Sequence, residues 1–245
     1  MSPQNNTLGL SFLEWFRDQV HRRGATHAVA DSAGLLWHFL RESIPDRRRQ
    51  RYGDVDYDWD RRVDTTSATV NACSRFLGLL HSPYQPTDPA LFHEMMTKLD
   101  IDFSEFVFVD IGSGKGRALL LAADYPFQKI IGIELLPELH RIAQANLQNY
   151  RSDSQQCFNI ETICHDACDL VLPPQPLVVY LFNPLPEPSL AALMTNLDRS
   201  LEHDPRRVYV VYHNPVLERV VTTSPWLRKA SGTHQYSIYV GLLAE

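Results

Sequence analysis

The stretch FVDIGSGKGRALLLAA, residues 108–123, constrains this chain more than any other feature. An apolar run reaches a carboxylate, alternating glycines follow at Gly112, Gly114 and Gly116, and a run of Ala and Leu comes next. That order reads as a buried strand, a tight turn that uses the backbone freedom of glycine, and a helix packed back on the strand. The chain after Phe106 keeps the same rhythm. Short apolar runs at Phe106–Asp110, Lys129–Glu134, Phe158–Cys164, Leu177–Phe182 and Arg207–His213 alternate with amphipathic stretches, which predicts an α/β fold with a mostly parallel sheet and helices on both faces. Pro137–Asn149 places Leu139, Ile142, Ala143 and Leu147 on one helical face, with Pro137 suited to the first turn. Ser189–Leu201 repeats the pattern with Leu190, Leu193, Met194, Leu197 and Leu201. Trp226–Ala230 and Tyr236–Leu243, about Ser231-Gly232, predict an antiparallel C-terminal edge pair.

The first hundred residues carry helix and turn signals and no convincing strand. Ser11 and Glu14 form a possible capping box near Phe12, Trp15, Phe16 and Val20, and Leu35–Leu40 is a second apolar patch before Pro45. The expected organisation is a helical N-terminal cap, residues 1–83, ahead of a larger domain, 84–245. Within the cap, basic residues from Arg47 to Arg51 precede Asp54, Asp56, Asp58 and Asp60. These read as a solvated loop whose charge blocks neutralise each other, with substrate recognition as the alternative.

The glycine turn excludes two common ligands. A triphosphate loop needs Gly, four residues, then Gly-Lys and Ser or Thr; here Gly114-Lys115 is followed by Gly116, and Val109 stands where the first Gly belongs. A dinucleotide turn has its third glycine one position later, and Asp110 at the strand tip would repel a pyrophosphate. The same acid favours a ligand that brings an ammonium or sulfonium, because a partly buried cation must be paired.

These residues resemble the first motif of the class I, seven-strand S-adenosylmethionine-dependent methyltransferases, an acid followed by alternating glycines. The resemblance implies a Rossmann-like seven-stranded sheet and S-adenosylmethionine as cofactor. It implies that Asp110, Gly112, Ser113, Gly114 and Gly116 surround the methionine part, and that Glu134, with Leu135 beside it, holds the ribose hydroxyls. Asp166 and Ala167 in CHDAC would meet the adenine. Read by themselves, Glu134 is equally a helix-start acid and Asp166 a turn residue. Lys115 and Arg117 are expected to point to solvent or to nearby acids.

After the fourth apolar run, Asn183-Pro184 is similar to the family's acceptor motif of Asn or Asp, two prolines and an aromatic, in which the Asn oxygen and the Pro carbonyl accept from a target nitrogen. Leu185 and Pro186 stand where that motif has its second proline and its ring. A plain Pro-rich turn is the other reading. SPYQPTDPALFHEMMTKL, with the glycine turn and GIELLPEL, resembles the non-SET histone-lysine and the ATP synthase c-subunit lysine methyltransferases; it implies that Tyr84 and Thr87 cover the methionine end of the cofactor. Tyr212 and His213 close the fifth run, where His213 is either a base for a hydroxyl acceptor or a hydrogen-bonded turn residue.

The expected activity is methyl transfer to a small-molecule N or O acceptor, with a protein lysine as the alternative acceptor and an inactive cofactor-binding regulator as the competing class. A net charge of −6 argues against a nucleic-acid partner. No apolar run approaches the roughly 20 residues of a membrane helix, and the N-terminus lacks the order of a secretory signal, so the expected location is cytoplasmic. Cys157, Cys164, His165 and Cys168 fall within twelve positions but in no zinc spacing, so no metal is expected.

Overall fold

The computed structural model describes residues 55–66, 85–182 and 185–241, with isolated positions between 16 and 32. Tyr84, Asn183, Pro184, the Ser11 capping box and the Leu35–Leu40 patch lie outside the described residues. Residues 56–65 and 86–245 cluster into one compact unit, and 1–55 with 66–85 into another.

In chain order the described elements are α1 (Val55–Arg61), α2 (Pro89–Thr97), β1 (Val107–Ile111), α3 (Arg117–Ala122), β2 (Lys129–Glu134), α4 (Pro137–Asn149), β3 (Ile160–Cys164), β4 (Leu177–Phe182), α5 (Glu187–His203), β5 (Val208–His213), α6 (Glu218–Val221), β6 (Leu227–Gly232) and β7 (Tyr236–Gly241). The seven strands form one sheet in the order β3-β2-β1-β4-β5-β7-β6. Strands β1 to β5 are parallel, while β7 runs antiparallel to both β5 and β6. The expected C-terminal pair is therefore present, with β7 inserted between β5 and β6 and β6 left on the edge.

Strand alternation divides the core in two. One set of side chains, including Phe108 of β1, Ile130 of β2, Val178 and Tyr180 of β4 and Val211 of β5, packs with Phe92, Met95 and Met96 of α2 and the leucines of α3. The opposite set, including Val107, Val109 and Ile111, Val179, Val210 and Tyr212, packs with Leu190, Leu193, Met194 and Leu197 of α5. Because both faces are covered, β1 and β4 are apolar almost throughout rather than alternating with polar residues.

The winding of the chain reverses between β1 and β4, which pair in parallel with Asp110 opposite Tyr180. In open sheets of this kind the crevice beyond the carboxyl ends of the strands at such a reversal is where ligands bind.

One expectation about charge is corrected, and of the two offered for Lys115 and Arg117, solvent or acids, the acids are the partners observed. Asp58 is buried on α1 rather than solvated, although Asp60 beside it is exposed. Lys115 and Arg117 are buried too, at 0% and 2% exposure, and their partners stand about fifty residues upstream: Lys115 Nζ donates to Asp64 Oδ1 at 2.8 Å and Arg117 Nη2 to Asp58 Oδ1 at 3.0 Å. A cation held out of water must take its counter-charge with it. Asp58 and Asp64 supply that charge, so Asp58 at least is a buried ion-pair partner and not part of a solvated, neutralising loop.

Candidate functional site at the sheet reversal

The glycine turn has the backbone its sequence suggested. Gly112, Gly114 and Gly116 have φ of 75°, 56° and 86°, a region that costs an L-residue with a Cβ roughly 1–2 kcal/mol. Gly112 N and Ser113 N both donate to Ile133 O of β2, at 2.8 and 2.9 Å, which folds the turn over the neighbouring strand. At Gly116 an added Cβ would lie 3.4 Å from the Ala143 Cβ of α4, an ordinary contact, so the positive φ rather than crowding calls for glycine there.

Asp110 points to the face shared with Tyr180, is 3% exposed, and accepts no hydrogen bond from any described residue. Burial drives its carboxyl well above the ordinary carboxylate range, with the charge of Glu134 adding to the effect. Glu134 ends β2, also buried; one oxygen accepts from Gly114 N at 2.8 Å and the other from Leu136 N at 2.7 Å. Burial raises its pKa, while the amides of Leu136, Gly114 and Leu135 pull it down. Glu134 thus has its helix-start role, bonding an amide at the entry to α4, and braces the glycine turn with the same carboxylate. Each of its oxygens keeps a lone pair for another donor.

The other sequence candidates separate. Ser113 is buried, and its hydroxyl has no partner among the described residues; an added Cβ on Gly132 would lie 2.8 Å from it, so it faces β2 behind the turn. Leu135 is half exposed and Ala167 buried. Asp166 accepts from Cys168 N at 2.9 Å and caps the short 3₁₀ turn Ala167–Asp169, which is the turn-residue role. Tyr212 and His213 lie on opposite faces of β5. Tyr212 packs in the α5-side core and its hydroxyl accepts from Leu217 N, on the face of the sheet away from Asp110.

His213 is on the Asp110 side. Its Nδ1 is 2.8 Å from the Tyr180 hydroxyl, which is 3.2 Å from Thr87 Oγ1, and its ring stacks on Phe182 at 3.8 Å between centroids. Burial lowers the imidazole to about 4, against a small opposing pull from Asp88. His213 is thus neutral across the physiological range. Sequence reading missed Tyr180, because LVVYLF reads simply as a buried strand; its register against Asp110 was the signal that pairing alone could provide.

No functionally curated protein matches the sequence. Among solved structures, the chain overlaps the ribosomal protein L11 methylase of Lactobacillus delbrueckii subsp. bulgaricus at 14% identity, covering 62% of this chain and 76% of that one, with a TM-score of 0.44. It overlaps the magnesium protoporphyrin IX methyltransferase of Synechocystis PCC 6803 with bound S-adenosylmethionine at 14% identity, 62% and 76% coverage and a TM-score of 0.43. For an RNA methyltransferase of Salinibacter ruber in complex with S-adenosyl-L-homocysteine the values are 17%, 64%, 92% and 0.38. A family model described as a putative methyltransferase matches residues 104–188, the segment that holds β1 to β4 and every residue of the glycine turn. Over that segment, about a third of its length, the chain is similar to putative methyltransferases, and its sheet has the seven-strand order given above.

The residues at the sheet reversal fit S-adenosylmethionine, the cofactor that the sequence resemblance implies. Two buried carboxylates, Asp110 and Glu134, have no Lys, Arg or His paired with them among the described residues, so a cation brought by a ligand would meet uncompensated charge of the right sign.

Proposed function

We propose that this protein is an S-adenosylmethionine-dependent methyltransferase that transfers the methyl group to a nitrogen or oxygen of a small molecule. The observation that carries the reading is the buried, neutral His213 on the same face of the sheet as Asp110. S-adenosylmethionine supplies a methyl carbon already activated by positive sulfur, so the protein has mainly to orient the acceptor, exclude water and receive a proton. In this reading Asp110 holds a positive group of the cofactor, Glu134 the ribose, and Asp166 and Ala167 the adenine. In the tautomer where Nδ1–H donates to Tyr180, His213 presents Nε2 as an acceptor toward the substrate, and Tyr180 passes its own hydrogen to Thr87. Asn183 and Pro184, which follow β4 directly, would accept from a target amine. Tyr84 and Thr87 would close over the methionine end.

Incubation with methyl-labelled S-adenosylmethionine and a cell lysate tests the acceptor. Label in the soluble small-molecule fraction is expected. Label in acid-precipitable, protease-sensitive material would overturn it in favour of a protein lysine, and formation of no methylated product would favour a cofactor-binding regulator. Asp110→Ala and Glu134→Ala should each weaken cofactor binding tenfold or more by titration calorimetry, since each removes a charge-assisted partner worth about 1.5–3 kcal/mol. With a hydroxyl acceptor, His213→Asn should lose turnover and keep cofactor affinity.

A further inference from the structure

We infer that Asp58 and Asp64 are positioning residues of the cofactor turn, holding Lys115 and Arg117 so that the glycines keep their ligand-ready conformation. The inference rests on the glycine turn being the S-adenosylmethionine site. Lys115 lies between two of the glycines that shape the turn, and Arg117 opens α3, at the positive end of the helix dipole. A cationic cofactor makes a poor neighbour for two loose cations at these positions. α1 and the segment after it pair both. Asp58 accepts from Arg117 Nη2, from Thr65 N at 2.7 Å and from the Thr65 hydroxyl, which in turn accepts from Arg117 Nε. The Arg117 guanidinium also lies 4.0 Å from the centroid of the Tyr57 ring.

Lys115 is held at both ends. Its ammonium goes to Asp64, and its carbonyl accepts from Asn146 Nδ2 of α4 at 2.9 Å. The same Asn146 amide accepts from Asp64 N and donates to Asp64 O, both at 2.8 Å. Asp64, Asn146 and Lys115 thus form a closed set that ties the acidic segment, α4 and the turn together. A lysine kept at 0% exposure fixes the backbone on either side of it, which is the backbone of Gly114 and Gly116. None of these side chains need touch the cofactor for their loss to be felt there.

The test uses the full-length protein with Asp58→Asn, Asp64→Asn, Lys115→Met and the neutral pair Asp64→Leu with Lys115→Met. S-adenosylhomocysteine affinity is read by calorimetry, and hydrogen exchange by mass spectrometry over peptides containing residues 108–118. Each single substitution should weaken affinity about tenfold and speed exchange in the turn, with β4 and β5 peptides unchanged. The neutral pair should recover affinity to within about threefold of the unmodified protein, a rescue that general loss of stability would not produce. Unchanged affinity and unchanged turn exchange in folded single variants would overturn the inference. So would a neutral pair as weak as the singles, which also decides the matter if the single variants fail to fold. If the unmodified protein binds no S-adenosylhomocysteine, the cofactor reading fails, and turn exchange alone decides whether the acids position the loop.

Discussion

Glu218 accepts three hydrogen bonds on one oxygen, from Lys229 Nζ at 2.7 Å, Ser237 Oγ at 2.7 Å and Tyr239 Oη at 2.8 Å, and so pins α6 to both strands of the C-terminal pair. These donors, Lys229 first, lower its carboxyl to about 2. A carboxylate whose folded pKa lies below its unfolded value contributes stability above the unfolded pKa, and that contribution fades as pH falls toward the folded one. Glu218→Gln should therefore lower the melting temperature at pH 7, and the gap to the unmodified protein should narrow between about pH 4.5 and 2. A gap that is constant over this range would mean that the ionised form adds nothing. The side chain is more than a third exposed, so solvent screening keeps the effect small. Nothing local in the sequence marked this residue, because its partners arrive from β6 and β7. Asp110 stood out for the opposite reason: an acid that ends an apolar run beside alternating glycines states its chemistry within a few residues, whereas Glu134 was singled out only through the family resemblance.

Elements were most legible where their boundaries are set by local chemistry. Strands β2 and β4 and helix α4 occupy the ranges their patterns predict, with Pro137 opening the helix and the apolar runs ending in acid or turn residues. β3 begins two residues later than its apolar pattern, because Cys157 N bonds Ala123 O across the core and Phe158 is left 78% exposed. Tertiary pairing decided both, and also the insertion of β7 between β5 and β6, which no single segment encodes. Gly132 on β2 is a further example. It looks like a weak point in an apolar strand, yet an added Cβ would meet Leu119 Cδ1 at 2.6 Å and Ser113 Oγ at 2.8 Å. This glycine lets α3 and the cofactor turn seat on the sheet. Gly132→Ala should cost about 1–3 kcal/mol through overpacking and should weaken cofactor binding as well. Chemical denaturation beside calorimetry checks this; full stability with normal affinity would show that α3 shifts freely.

Across the whole molecule, if Asp110 holds the cofactor's cation as proposed, binding is prepared at the expense of the ligand-free fold. Asp110 is buried beside Glu134 with its pKa raised, so the native protein holds its proton more tightly than the unfolded chain does. Stability of the ligand-free protein then falls as pH rises from the ordinary carboxylate range toward the native pKa, the reverse of the behaviour of Glu218. A cation placed against the ionised acid reverses the penalty, so affinity for S-adenosylmethionine should rise with pH over the same interval, and binding there should release protons. Asp110→Asn separates the two effects. Without ligand it should melt higher than the unmodified protein, by a margin that widens as pH rises, because the buried charge is gone while the side chain keeps its volume. With saturating cofactor the order should invert, since a bound ligand stabilises by about 2.7 kcal/mol at a hundred times its Kd and the variant forfeits most of that. Melting curves of both proteins with and without S-adenosylmethionine, at several pH values, contain the whole test: if the variant is less stable without ligand at every pH, the carboxylate is not a stored cost, and its role at the reversal of the sheet is structural instead.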